Sequence, residues 1–130
     1  MPLEGRQVSI PWALALCYFV GWRKAELVRA VAVMTAESAR YIRAYNVNTN
    51  GSIDRGLFQI NSIHGTCCTF DAIKNARCAF KLYQEQGFKP WVAYNSGAYK
   101  KFMPTIWAAK LSTQWLRKAG LLPKGWPYPE

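Results

Sequence analysis

Residues 48–62 read Asn48-Thr49-Asn50-Gly51-Ser52-Ile53-Asp54-Arg55-Gly56-Leu57-Phe58-Gln59-Ile60-Asn61-Ser62. Asn50-Gly51 is the best turn of this region, because both residues tolerate the positive φ that a tight hairpin demands. Upstream, Asn46, Asn48, Asn50, Gly51 and Ser52 are interleaved with Tyr41, Tyr45 and Val47, so Ala39 to Arg55 reads as a loop with a short hairpin. Gly56 to Asn61 reads as a short helical or irregular apolar segment, and a polar, cysteine-bearing loop continues to Phe70.

Helical patterns flank this region on both sides. Before it, Leu27, Val28, Val31, Ala32 and Met34 recur at steps suited to a helix over Lys24 to Ser38, with Glu26 and Arg29 facing water and Glu37 near its C-terminal end. An earlier helix is capped by Ser9, tolerates Pro11 in its first turn, runs to Val20 and stops at Gly21. After the region, Asp71 caps a helix from Ala72 to Gln86 with the stripe Ile73, Ala76, Ala79, Phe80 and Tyr83, ended by Gly87. Trp91 to Gly97 begins another apolar segment, and Phe102 to Ala119 supplies a last helix with Pro104 near its start. Pro123, Pro127 and Pro129 then mark an irregular tail over about residues 120–130. The expectation is a mainly α (α+β) fold, one domain over residues 1–130, with a small β-hairpin.

Composition agrees with one folded domain: 130 residues, 51% hydrophobic and 18% charged, are enough for a core and argue against disorder. Seventeen Lys and Arg against seven Asp and Glu give +10, which favours a polyanionic partner such as nucleic acid, an acidic membrane surface or the anionic bacterial wall. The basic residues are scattered and spell no nucleic-acid reader motif, so no specific nucleic acid is expected. The apolar stretch from Ser9 to Trp22 invites a signal-peptide reading, but Glu4 offsets Arg6, Leu16 is large, and no A-x-A site follows. It reads as a first core helix, and no convincing signal peptide is expected. No segment reaches the roughly 18 to 20 apolar residues of a membrane span. Cys17, Cys67, Cys68 and Cys78 allow three pairings into two disulfides, and the sequence does not rank them. A zinc site from His64, Cys67 or Cys68, and Cys78 lacks paired C-x-x-C spacing, so structural thiols or a single bridge are favoured and no metal is expected.

Two of the seven carboxylates have no simple explanation. Glu4 and Glu130 are terminal, Glu26 and Glu85 lie on polar helix faces, and Asp71 is a cap. Glu37 follows the apolar run Val31 to Ala36 where a helix meets a polar loop, a setting that raises a carboxyl pKa. Asp54 lies seventeen positions later. Such a pair suits glycoside cleavage, in which one acid protonates the leaving oxygen and a second carboxylate supports or attacks the oxocarbenium-like centre. By themselves the two residues fit equally a helix-end salt bridge and a turn residue preceding Gly56.

The stretch 48–62 closely resembles the central segment of animal c-type lysozymes, in which an acidic residue, a glycine and a Q-I-N-S run follow an N-T-x-G-S turn; the Glu-to-Asp separation also matches. Lysozyme is the type case for that division of labour, and the resemblance implies Glu37 as general acid and Asp54 as nucleophile or electrostatic stabiliser. Ala36-Glu37-Ser38, Gly56-Leu57-Phe58-Gln59 and Ala93-Tyr94-Asn95-Ser96-Gly97 are similar to blocks of bacterial and phage lytic transglycosylase domains. The resemblances cover roughly Glu26 to Phe102. They imply a lysozyme-like fold whose hairpin lies beside an active-site cleft, with Gln59 and Asn61 lining that cleft, Trp91 packed on Glu37, and Tyr94 and Asn95 orienting Glu37 or contacting substrate.

The implied activity is cleavage of the MurNAc–GlcNAc β-1,4 bond of peptidoglycan without a cofactor. Hydrolysis is favoured by Asp54, with a lytic transglycosylase forming 1,6-anhydro products, or a non-catalytic wall-binding module, as alternatives. The implied setting is a monomeric phage lysin or virion-associated enzyme reaching the wall through a holin or by injection, or else a bacterial housekeeping enzyme. Two features depart from the families. The long cysteine-rich insertion of c-type lysozymes between Q-I-N-S and W-V-A is missing, and Ala39-Arg40 stand where many phage relatives carry glycines.

Overall fold

In a computed structural model, which describes residues 4–122, Ser9 caps helix α1 (Ile10–Val20) by accepting from Trp12 N. Gly21, at φ 140°, closes the helix by donating to Cys17 and Tyr18 carbonyls. Helix α2 (Lys24–Ser38) runs through the centre of the core, with Leu27, Val28 and every residue from Ala30 to Thr35 buried. Its surface residues Glu26 and Arg29 form an ion pair, and Tyr83 Oη donates to Glu26.

The chain leaves α2 through two consecutive left-handed residues that are not glycine, Ala39 (φ 51°) and Arg40 (φ 64°). Such conformations persist only when their surroundings hold them. Arg40 is held by its backbone N–H on Ser38 Oγ, its Nε on the Val8 carbonyl and its Nη1 on Thr35 Oγ1. Side-chain hydrogen bonds thus enforce a loop shape that glycines would permit freely.

Three antiparallel strands follow, β1 (Tyr45–Val47), β2 (Ile53–Arg55) and β3 (Ile60–Asn61), in the order β1-β2-β3. The expected hairpin is present as β1-β2, but the expected helical or irregular segment from Gly56 to Asn61 is a turn plus a third strand. Gln59, at φ 49°, donates from its backbone to the Gly56 carbonyl and reverses the chain. Buried Asn75 stabilises the turn by accepting from Phe58 N at 2.9 Å and donating to the carbonyls of Arg55 at 2.8 Å and Thr69 at 3.1 Å. Gly56, at φ 82°, is required there, since a Cβ would stand 2.5 Å from Asn75 Nδ2 and the Thr69 carbonyl.

A 3-10 segment (Ser62–Cys67) occupies much of the expected cysteine-bearing loop. Helix α3 (Ala72–Gln86) is capped by Asp71, which accepts from Lys74 N. A short helix α4 (Val92–Asn95) and a 3-10 segment (Ala98–Phe102) lead into α5 (Met103–Lys118). The proline-rich tail, with Pro123, Pro127 and Pro129, lies outside the described residues.

One apolar cluster joins these elements. Trp22 sits at its centre, with ring centroids 5.3 Å from Phe58, 5.1 Å from Phe80 and 5.6 Å from Tyr83. Cys67 and Cys78 form a disulfide that ties the first 3-10 segment to α3, while Cys17 and Cys68 are buried free thiols. The bridge takes up Cys67 and Cys78, two of the three sulfurs weighed beside His64 for a zinc site, and disulfide sulfurs supply no thiolate.

Candidate active site

Glu37 owes its place to α2. The preceding turns are embedded in the core, so the helix end emerges with the carboxylate half-buried between apolar packing and an open cleft. Its Oε2 accepts a 3.2 Å hydrogen bond from Ala93 N. That donor is aimed by Trp91, the extended residue before α4, whose indole Nε1 is anchored on the Phe58 carbonyl at 2.9 Å. Burial raises the Glu37 pKa above the ordinary glutamate value; the Ala93 N–H opposes the shift, and the negative charge of Asp54 adds to it.

Asp54 is placed by the sheet. It is the middle residue of the central strand, opposite Asn46 on β1 and Asn61 on β3. Asn61 Nδ2 donates to its Oδ1 at 2.8 Å, and Asn48 Nδ2 donates to its Oδ2 at 3.2 Å. Both amides also reach Ser52 Oγ, which donates to Asn50 Oδ1, while Asn46 orients Asn48. Each carboxylate oxygen therefore has its own amide donor.

The two carboxylates line one open cleft of about 430 Å³. One wall is polar, with Asn48, Ser52, Gln59 and Asn61; the other carries Leu82, Pro90, Trp91 and Val92. The arrangement combines an acid inclined to keep its proton with a hydrogen-bonded anion, in a groove able to accept a hydroxylated chain. Among the described residues no group of three His, Cys, Asp or Glu is placed to hold a metal ion.

Of the residues expected at a site, Glu37, Asp54, Gln59, Asn61 and Trp91 all line this cleft. Gln59 spends its amide N–H groups on the carbonyls of Ala44 and Gly56. Tyr94 and Asn95 are not among the lining residues. The Tyr94 ring stacks on Phe88 at 5.2 Å and on Tyr99 at 5.1 Å, and Asn95 donates to the Lys89 carbonyl. Their neighbour Ala93 touches Glu37 instead, through a backbone N–H that side-chain reasoning does not register. Asn48 and Ser52 are lining residues that the sequence did not mark for a site, and His64, weighed only as a zinc ligand, lines the cleft as well. The polar cluster around the Asn50-Gly51 turn was the available signal for the first two.

A family described as lysozyme like domain matches residues 14–93, more than half of the chain, from within α1 to the backbone donor at Ala93. The chain belongs to this lysozyme-like domain family. Its relatives include a lysozyme of Bombyx mori, 34% identical over 82 residues that make up 51% of this chain and 60% of that protein. Lysozyme c-1 of Anopheles gambiae is 32% identical over 101 residues, 66% of this chain and 72% of that one. The chain thus spans about 60% of the length of the Bombyx mori protein. The crystal structure of a lysozyme from Litopenaeus vannamei shares the fold, with a TM-score of 0.65 at 23% identity, covering 79% of this chain and 98% of that one.

Proposed function

We propose that this lysozyme-like domain is a glycoside hydrolase that cleaves the β-1,4 bond between N-acetylmuramic acid and N-acetylglucosamine in peptidoglycan. The observation that carries the reading is the pairing, in one cleft, of a desolvated Glu37 with an amide-held Asp54. Glu37 delivers its proton to the glycosidic oxygen as the C1–O bond breaks. Asp54 holds its charge beside the developing oxocarbenium centre, as nucleophile or as electrostatic stabiliser. Water then adds its hydroxyl to C1 and returns its proton to the Glu37 carboxylate. The side chains of Gln59, Asn61 and Trp91, which line the cleft, contact the sugar, with Gln59 Oε1 as an available acceptor.

The +10 charge suits an anionic wall. The transglycosylase-like sequence blocks support a phage lysin or virion-associated enzyme as the biological setting. The test is mass spectrometry of purified peptidoglycan treated with the wild type and with Glu37→Gln. Reducing-end muropeptides that vanish in the variant are expected. Anhydro-muropeptides would replace the hydrolase by a lytic transglycosylase, in which the sugar's own 6-hydroxyl takes the place of water. A folded wild type without product on several wall types would leave a wall-binding module.

A further inference from the structure

Helix α5 reverses the usual distribution of polarity over its C-terminal half. Lys110 and Thr113 are buried, at 5% and 4% exposure, whereas Leu111 is 58% and Trp115 64% exposed. Leu111 and Trp115 are four residues apart, so they stand on one face of the helix, one turn above the other. Leu121, just beyond the helix, is also 64% exposed. Single exposed apolar residues are ordinary, but three large ones at one helix end form a patch.

The charge in this part of the sequence is one-sided. Between Glu85 and Glu130 the chain has no acidic residue and seven basic ones, Lys89, Lys100, Lys101, Lys110, Arg117, Lys118 and Lys124. Exposed Arg117 and Lys118 fill the last turn of α5, and Lys118, three residues after Trp115 and seven after Leu111, shares their face. None of the patch residues lines the cleft.

We propose that the C-terminal half of α5 docks on an anionic lipid surface. Leu111, Trp115 and Leu121 enter the boundary between headgroups and acyl chains, while Arg117 and Lys118 pair with lipid phosphates. An anionic polysaccharide or nucleic acid would satisfy the charges but offer Leu111 and Leu121 no hydrocarbon to bury in. A second copy of the chain would bring the same cationic end against itself. The lipid surface is the partner that matches both halves of the pattern.

The test is co-sedimentation with vesicles of phosphatidylcholine alone and of phosphatidylcholine with phosphatidylglycerol in equal parts. It uses the wild type, Leu111→Ser/Trp115→Ser and Arg117→Gln/Lys118→Gln, with circular dichroism confirming that each is folded. The wild type is expected to bind only the phosphatidylglycerol vesicles. Each double variant is expected to lose at least about tenfold in partitioning, about 1.4 kcal/mol. The proposal is overturned by a wild type that does not bind, or by a Leu111→Ser/Trp115→Ser variant that binds equally well. It is also overturned by ultracentrifugation showing wild-type dimers that the apolar double variant abolishes, which would make the patch a contact between copies.

Discussion

Replacing Asn75 by alanine tests whether the site depends on the turn beneath it. Asn75 is fully buried and makes three hydrogen bonds, one to the N–H of Phe58 and two to the carbonyls of Arg55 and Thr69. A typical intramolecular hydrogen bond contributes about 1 kcal/mol net, and a buried donor left without a partner costs about 1–3 kcal/mol. The variant should therefore be destabilised by roughly 3–5 kcal/mol. For a chain of this size that lowers the melting temperature by about 10–20 °C. Urea denaturation followed by circular dichroism measures it directly. The effect should reach the cleft, because the turn sets the pairing of Asp54 with Asn61. Asn75→Asp, whose protonated carboxyl keeps an acceptor for Phe58 N and has one O–H donor in place of two N–H donors, should fall between wild type and alanine at a pH low enough to protonate it. A loss below about 1 kcal/mol for Asn75→Ala would refute the reasoning, since the turn would then hold itself without the side chain.

Other expectations concern the carboxylates and the bridge. Because the folded-state pKa of Glu37 is raised, folding favours its protonated form; that contribution is full below the unfolded value and is lost as pH rises through the folded one. Glu37→Gln, which keeps an acceptor for Ala93 N without the charge, should therefore melt above the wild type at pH 7, with the gain shrinking towards pH 4. Scanning calorimetry across that range checks the sign, and a variant less stable at pH 7 contradicts it. Asp54→Asn removes a charge that raises the Glu37 pKa, so the Glu37 carboxyl resonance should titrate at lower pH in the variant than in the wild type, as read by carbon NMR. The Cys67–Cys78 bridge closes a short loop at a sequence separation of 11, so Cys78→Ser should cost about 2–3 kcal/mol in urea melts. An unchanged midpoint would mean that packing alone holds that segment.

Much of the architecture was legible in the sequence because it depends on local chemistry. Ser9, Gly21, Asp71 and Gly87 mark helix ends through capping groups and backbone freedom that act within one turn. Asn50-Gly51 announces the hairpin for the same reason. Glu37 and Asp54 could be singled out because few carboxylates exist and most had a plain structural explanation. The two-residue strand β3 escaped notice because nothing in Ile60-Asn61 is periodic; it exists because Asn75, distant in sequence, stabilises the turn before it.

The remaining features of the site are tertiary. Which amides hold Asp54 follows from strand register, which brings Asn61 opposite it and folds Asn48 back over it. The family resemblance pointed to Tyr94 and Asn95, and it is their neighbour's backbone N–H that contacts Glu37, while the Tyr94 ring stacks on Phe88. The chosen cysteine pair likewise depends on where α3 lies against the 3-10 segment. The sequence by itself determined which residues start, stop and turn, and which acids were available, because those properties reside in single side chains and their near neighbours. Only the tertiary structure decided which amides hold Asp54 and which backbone N–H meets Glu37, because hydrogen-bond partners are set by segments far apart in the chain.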